Sequence, residues 1–244
     1  MRGHTAGCGD LPRRGRCSIA RWRSAPGDRD IRVRKAENDA AEGNLEEAAR
    51  VMNELAPPFG TLGYRGHIDV LASERKYDEA IAKLTADLQK AAKQPGLPAG
   101  AVAHAHLALG QLYAKTGRAA EAEAALLKAE AELTRMREQG NESPDARAAM
   151  IVCHAALGRR QDVEREVAAH IARQAKDRWT GPLAEDDAAR AFCVLGDYDR
   201  ALSMLEKLMK QSYADSVTPA LLRFDPIWDA VRNDPRFQKL AGTQ

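Results

Sequence analysis

The sequence predicts an all-α fold: a right-handed α-solenoid of about five helical hairpins, closed by a C-terminal helical cap. Three observations carry that prediction. The chain of 244 residues is 44% hydrophobic and 30% charged but only 5% aromatic, and Ala, Arg and Leu are its commonest residues. This mixture favours helices packed through small side chains over sheets with β-branched cores. A short phrase recurs from residue 43 onward at intervals of 32, 42, 41 and 38 residues, within the range in which a repeated period signals stacked supersecondary units. The final stretch, by contrast, is punctuated by proline and dense in aromatic side chains.

Residues 1–30 stand apart. They are rich in Arg, Gly and Pro, carry seven Arg against three Asp, and show no helical or strand period. They read as a disordered basic N-terminal segment. An Arg-rich, acid-poor start is similar to that of a targeting peptide, but the apolar centre of a secretory signal is missing. Arg13, Arg14, Arg16, Arg21 and Arg23 would attract phosphate without sequence preference. The rest of the chain is nearly charge-balanced and the whole carries only +2, so no specific nucleic-acid partner is expected. The longest apolar run, Ala148 to Cys153, falls far short of the roughly 20 residues that span a bilayer. A cytoplasmic protein with no membrane partner is the expectation.

Residues 31–212 form the predicted array. The recurring phrase reads GNLEEAARVM at Gly43, RKYDEAIAKL at Arg75, GRAAEAEAAL at Gly117, GRRQDVEREV at Gly158 and GDYDRALSML at Gly196. In each, a break residue is followed five positions later by Ala48, Ala80, Ala122, Val163 or Ala201. The longer intervals contain extra linkers at residues 94–100, 140–144 and 177–182. The third hairpin is the clearest. Leu109 and Tyr113 share one helical face, as do Ala122, Leu126 and Ala129. Gly110 and Ala122 are small enough for two helices to cross closely, and Gly117 ends the first helix in a left-handed turn.

Residues 213–244 form the predicted capping segment. Asp225-Pro226 and Asp234-Pro235 each put a good N-cap before a residue suited to the first helical position, so each starts a short helix. Phe224, Ile227, Trp228, Val231 and Phe237 then supply the apolar set that a terminal repeat needs to cover its bare face.

With Leu109, Gly110, Tyr113, Gly117, Ala122, Leu126 and Ala129 in place, the third hairpin resembles the tetratricopeptide repeat, with His106 where Trp is usual. Residues 179–240, read through WTGPLAEDDAARAFCVLGDYDRALSMLEKL and LLRFDPIWDAVRNDPRFQKL, resemble the C-terminal arrays of bacterial multidomain signalling proteins. In those proteins the array commonly follows a serine/threonine protein kinase or a winged-helix DNA-binding domain. The resemblance implies a detached interaction scaffold of that kind; the alternatives are a fragment of such a kinase, or the sensor half of a winged-helix regulator.

No catalytic residue is expected. The sequence has no Gly-rich phosphate loop, HRD triplet or DFG triplet. Lys115-Thr116 follows Ala114 and sits at a predicted helix end, where a phosphate loop would open one. His104 and His106 lie about 200° apart on a helix and cannot share a metal. The four cysteines, Cys8, Cys17, Cys153 and Cys193, form no CxxC pair. Cys153 and Cys193 are expected as small buried apolar residues. No cofactor or metal follows from any of these. Lys128 and Glu132 are expected to pair at i,i+4 on a solvated face.

What remains is a binding surface. The resemblance implies that the first helices of successive hairpins line a concave groove for a protein or peptide partner. Mapping by the turns puts Arg65 and Asp69 there, then His104, Leu107, Gln111 and Lys115, then Ala148 and Val152, then Asp186 and Arg190. Arg65, Asp69, His104, Gln111, Lys115 and Arg190 are the candidate binding residues. Leu107 and Gln111 stand where chaperone-binding relatives carry Lys and Asn, which disfavours a receptor for chaperone tails. The oligomeric state is not legible.

Overall fold

The computed structural model describes residues 27–61, 63–93 and 97–243. Among them every regular element is helical, so the fold is all-α as predicted. In chain order the helices are α1 (Arg29–Glu42), α2 (Leu45–Leu55), α3 (Tyr64–Ser73), α4 (Tyr77–Ala91), α5 (Ala99–Lys115), α6 (Ala119–Glu138), α7 (Pro144–Ala156), α8 (Arg160–Gln174), α9 (Gly181–Val194), α10 (Tyr198–Leu208) and α11 (Pro219–Phe224). The 3-10 helix η1 (Pro226–Val231) and α12 (Pro235–Ala241) follow. Asp28 caps α1 by accepting a hydrogen bond from the Ile31 N–H at 3.1 Å, so the first helix starts inside the segment that the sequence reads as a tail. The basic cluster from Arg13 to Arg23 lies outside the described residues.

The five break residues adopt one turn. Gly43, Arg75, Gly117, Gly158 and Gly196 all have positive φ, from 61° at Arg75 to 99° at Gly43. The N–H of the following residue reaches back to the last turn of the preceding helix each time: Asn44 to Asp39 O, Lys76 to Leu71 O, Arg118 to Tyr113 O, Arg159 to His154 O and Asp197 to Phe192 O, all at 2.8 or 2.9 Å. The break residue itself bonds the carbonyl three positions back, as Gly117 does to Ala114 at 3.2 Å. This is the Schellman arrangement, which satisfies helix-end carbonyls through the backbone alone. The following helix then starts without a side-chain cap in all five cases. Four of the turns use glycine, which takes this conformation at little cost; Arg75 takes it at a penalty of roughly 1–2 kcal/mol.

The chain divides into two compact units between His67 and Ile68, within α3. In the first, α1 packs on α2 through the buried residues Val33, Ala36, Ala48 and Met52. In the second, α5 pairs with α6, α7 with α8, and α9 with α10, and α7 also packs on both α5 and α9. That additional contact stacks first helix upon first helix, so hairpins of this unit share one another's apolar faces as a solenoid does. The crossing of α5 and α6 depends on Gly110: a Cβ there would stand 2.5 Å from Leu126 Cγ and 3.3 Å from the Ala122 carbonyl oxygen. Leu107 does not face a groove as mapped. It is buried among Ala103, Leu126, Leu133 and Met150, because α5 is covered on that side by α6 and α7. The expected Lys128–Glu132 pair is also replaced, since Glu132 binds Arg135 one turn on at 2.5 Å.

Both Asp-Pro steps start helices. Asp225 accepts from the Ile227 N–H at 2.9 Å, and Asp234 accepts from the Arg236 N–H at 2.8 Å. Thr218-Pro219 does the same for α11 through a bond from the Leu221 N–H at 3.2 Å. Trp228 is fully buried. It shares a core with Phe192, Leu202, Leu205, Leu222 and Phe237, its ring centroid 6.4 Å from that of Phe237.

Candidate interaction surface

Two of the six candidate residues converge on one object, and it is the chain itself. Lys115, the last residue of α5, donates from Nζ to the Pro226 carbonyl oxygen at 2.6 Å and to Asp229 Oδ2 at 3.1 Å. Arg190, on α9, donates from Nε to Asp186 at 3.2 Å and from Nη1 to Asp225, and its guanidinium lies 5.6 Å from the centre of the Trp228 ring. Arg75, from the second turn, binds both oxygens of Asp229 at 2.9 and 3.1 Å. Arg232 adds a bond to Asp229 at 2.7 Å and another to the Asp225 carbonyl oxygen at 3.1 Å. Arg75, Lys115 and Arg190 thus hold the segment from Asp225 to Asp229 against the α3–α4 turn, α5 and α9, Arg232 braces it locally, and Cys193 adds a weak Sγ–H bond to Ile227 O at 3.4 Å.

The electrostatics follow from that crowding. Burial pushes the Asp229 carboxyl up, but hydrogen bonds from Arg232, Lys115 and Arg75 outweigh it and hold the group below its ordinary value. At Asp186 the balance is reversed: burial outweighs the pull of Arg190 and raises it. Burial pushes the Cys153 thiol up to about 12 and the Cys193 thiol up to about 11, so neither is a ready nucleophile at neutral pH.

The other four candidates are placed differently. Arg65 is exposed in the first unit, and Asp69 is exposed in the second. Gln111 is half-buried on α5. His104 is turned toward the next hairpin, with Nδ1 2.6 Å from the Gly100 carbonyl oxygen and Nε2 3.2 Å from the carboxylate of Asp145. Two buried histidines make the same kind of contact: His154 lies 3.3 Å from Glu130 and His170 lies 3.0 Å from Asp187. Each of these imidazoles ties one helix to a carboxylate of another, which hydropathy patterning cannot foretell. Sequence reasoning also missed Arg75, because a turn position is read for backbone conformation and its side chain is ignored. An arginine in a slot made for glycine was the available signal.

Among the described residues no three His, Cys, Asp or Glu side chains gather as metal ligands, and no helix is long and apolar enough to cross a membrane. No family model matches the chain, and no curated protein does. Among solved structures, the crystal structure of a tetratricopeptide repeat protein from Parabacteroides merdae aligns over 93% of this chain and 89% of that one, at 15% identity and a TM-score of 0.46.

Proposed function

We propose that the chain is a protein-interaction module that works through the outer faces of its first helices and carries out no chemistry of its own. One observation supports this reading above others: two first helices and the α3–α4 turn already hold a polypeptide segment. The row formed by Arg75, Lys115 and Arg190 engages two aspartates, a main-chain carbonyl and an indole of residues 225–229. These are the groups that any peptide ligand offers, and charge-assisted bonds of this kind are the stronger ones available to such a surface. Arg65, exposed in the first unit, and Asp69 and Gln111, in the second, are the residues that a protein or peptide partner would meet; His104 is already turned to Asp145. Cytoplasmic action belongs to the same proposal. Service beside a kinase or winged-helix domain rests on the resemblance of residues 179–240 alone.

The test uses the immobilised full chain in its native lysate, with a variant carrying Asp69→Lys and Gln111→Glu. Bound proteins are identified by mass spectrometry at several ionic strengths. The expected result is one set of proteins retained by the wild type and lost by the variant while both melt alike. Equal retention by both chains, or none by either, removes the proposal.

A further inference from the structure

A second place in the molecule gathers arginines and leaves two of them incompletely paired. A cleft of about 230 Å³ opens where the end of α6, the α6–α7 linker, the start of α7 and one face of α8 meet. Arg137, Arg147, Arg165 and Arg173 line it, together with Glu142 and Glu166. Its apolar lining includes Leu133 and Met150, both buried beneath the surface.

The pairing inside it is incomplete. Glu142 Oε2 lies 3.8 Å from Arg147 and 3.9 Å from Arg173, beyond hydrogen-bonding reach of either guanidinium. Arg147 also donates to the main-chain oxygen of Glu142. Its Nε is nevertheless buried with no hydrogen-bond partner among the described residues, on a side chain only 18% exposed. The chain leaves that buried donor unsatisfied. Arg137 meets Glu166 at 3.2 Å, and Arg165 turns to Asp162 at 2.6 Å. Arg137 and Arg165 thus each have a carboxylate, whereas Glu142 stands between Arg147 and Arg173 without hydrogen-bonding to either through its carboxylate.

We infer that this cleft binds a peptide carboxylate next to an aliphatic side chain. The carboxylate goes to Arg147 and Arg173, in the place that Glu142 approaches without filling, and the aliphatic group lies on Leu133 and Met150. Arginine suits this role because its planar fork matches a carboxylate with two parallel bonds. A polyphosphate fits less well, since Glu142 and Glu166 stand in its path. The carboxylate can come from an acidic side chain or from a chain end. This site shares no residue with the first-helix face, so its failure leaves that reading untouched.

The experiment is fluorescence polarisation with the full chain and three labelled heptapeptides. The first alternates Leu and Glu and ends in an amide. The second alternates Leu and Gln and ends in a free carboxylate. The third alternates Leu and Gln and ends in an amide. Binding of the first or second, but not the third, is expected, and which of the two binds identifies the source of the carboxylate. Arg165→Glu with Arg173→Glu, both on exposed side chains, is expected to weaken binding about tenfold or more, the loss of one charge-assisted bond. Glu142→Gln, which removes the internal competitor, is expected to tighten it. Circular dichroism confirms that each variant is folded. The inference is overturned if all three peptides bind alike, if none binds at about 1 mM, the weak end of measurable affinity, if the double variant binds as the wild type does, or if a single-stranded oligonucleotide binds in preference.

Discussion

The arginines of the C-terminal clamp and those of the α6–α8 cleft are the same chemical group in opposite circumstances. In the clamp, Asp229 receives Arg75, Lys115 and Arg232 at 2.7 to 3.1 Å, and the adjoining Trp228 is buried in the main core of its unit. In the cleft, Glu142 stands 3.8 and 3.9 Å from its two arginines, and three of the four guanidinium side chains are about half exposed or more. Charge alone does not mark a binding surface. The informative quantity is whether the chain already supplies the partners: in the clamp it does and the cations serve folding, whereas in the cleft Arg147 and Arg173 lack a close carboxylate and are available for recognition.

The largest test of that distinction is Trp228→Ala. Removing a fully buried indole from the clamp's core is expected to lower stability by about 3–5 kcal/mol, read as a drop in melting temperature. A change under about 1 kcal/mol would show the segment to be surface dressing. Asp229→Asn comes next, at about 1–3 kcal/mol, because three cations lose their charged acceptor. This one carries a pH signature. The folded carboxyl sits below its ordinary 3.8, so the unfolded chain takes up a proton first as pH falls. The clamp's contribution is therefore complete above that value and is lost as pH drops through the lower, folded one. Wild type and variant are expected to differ at pH 7 and to converge in acid, as denaturant titrations at each pH would report.

Arg75→Gly follows. Glycine relieves roughly 1 kcal/mol of left-handed strain and sacrifices the bonds to Asp229, so in the wild-type background the two effects nearly cancel. In the Asp229→Asn background the same change is expected to stabilise by about 1 kcal/mol, and a double-mutant cycle isolates the coupling. Arg173→Gln, in the cleft, is expected to move stability by less than about 0.5 kcal/mol. A loss on the scale of Asp229→Asn would place the cleft with the clamp as a folding device.

The hairpins were readable because their signals are local. Gly43, Gly117, Gly158 and Gly196 announce a backbone conformation few other residues take, and the small residue five positions on announces a helix crossing. Asp225-Pro226 and Asp234-Pro235 are likewise self-contained. The clamp was not readable, because it joins residues more than 100 positions apart, Arg75 and Lys115 with Asp229, and no periodicity connects them. The sequence marks Lys115 and Arg190 as surface residues but carries no sign that Asp229 and Asp225 meet them. Leu107 was placed on the open face because the helical wheel of α5 assigns directions but cannot say that α6 and α7 cover two of them.

The five Schellman turns have a wider consequence. Their bonds run from main chain to main chain, and around Gly117, Gly158 and Gly196 the space beyond the backbone is open within 4 Å. At these three bends no side chain takes part in the turn's main-chain bonds. Each hairpin is consequently a cassette with a standard joint, and lengthening or exchanging the linkers between cassettes is a route by which such a protein can acquire new specificities while its folding code stays the same.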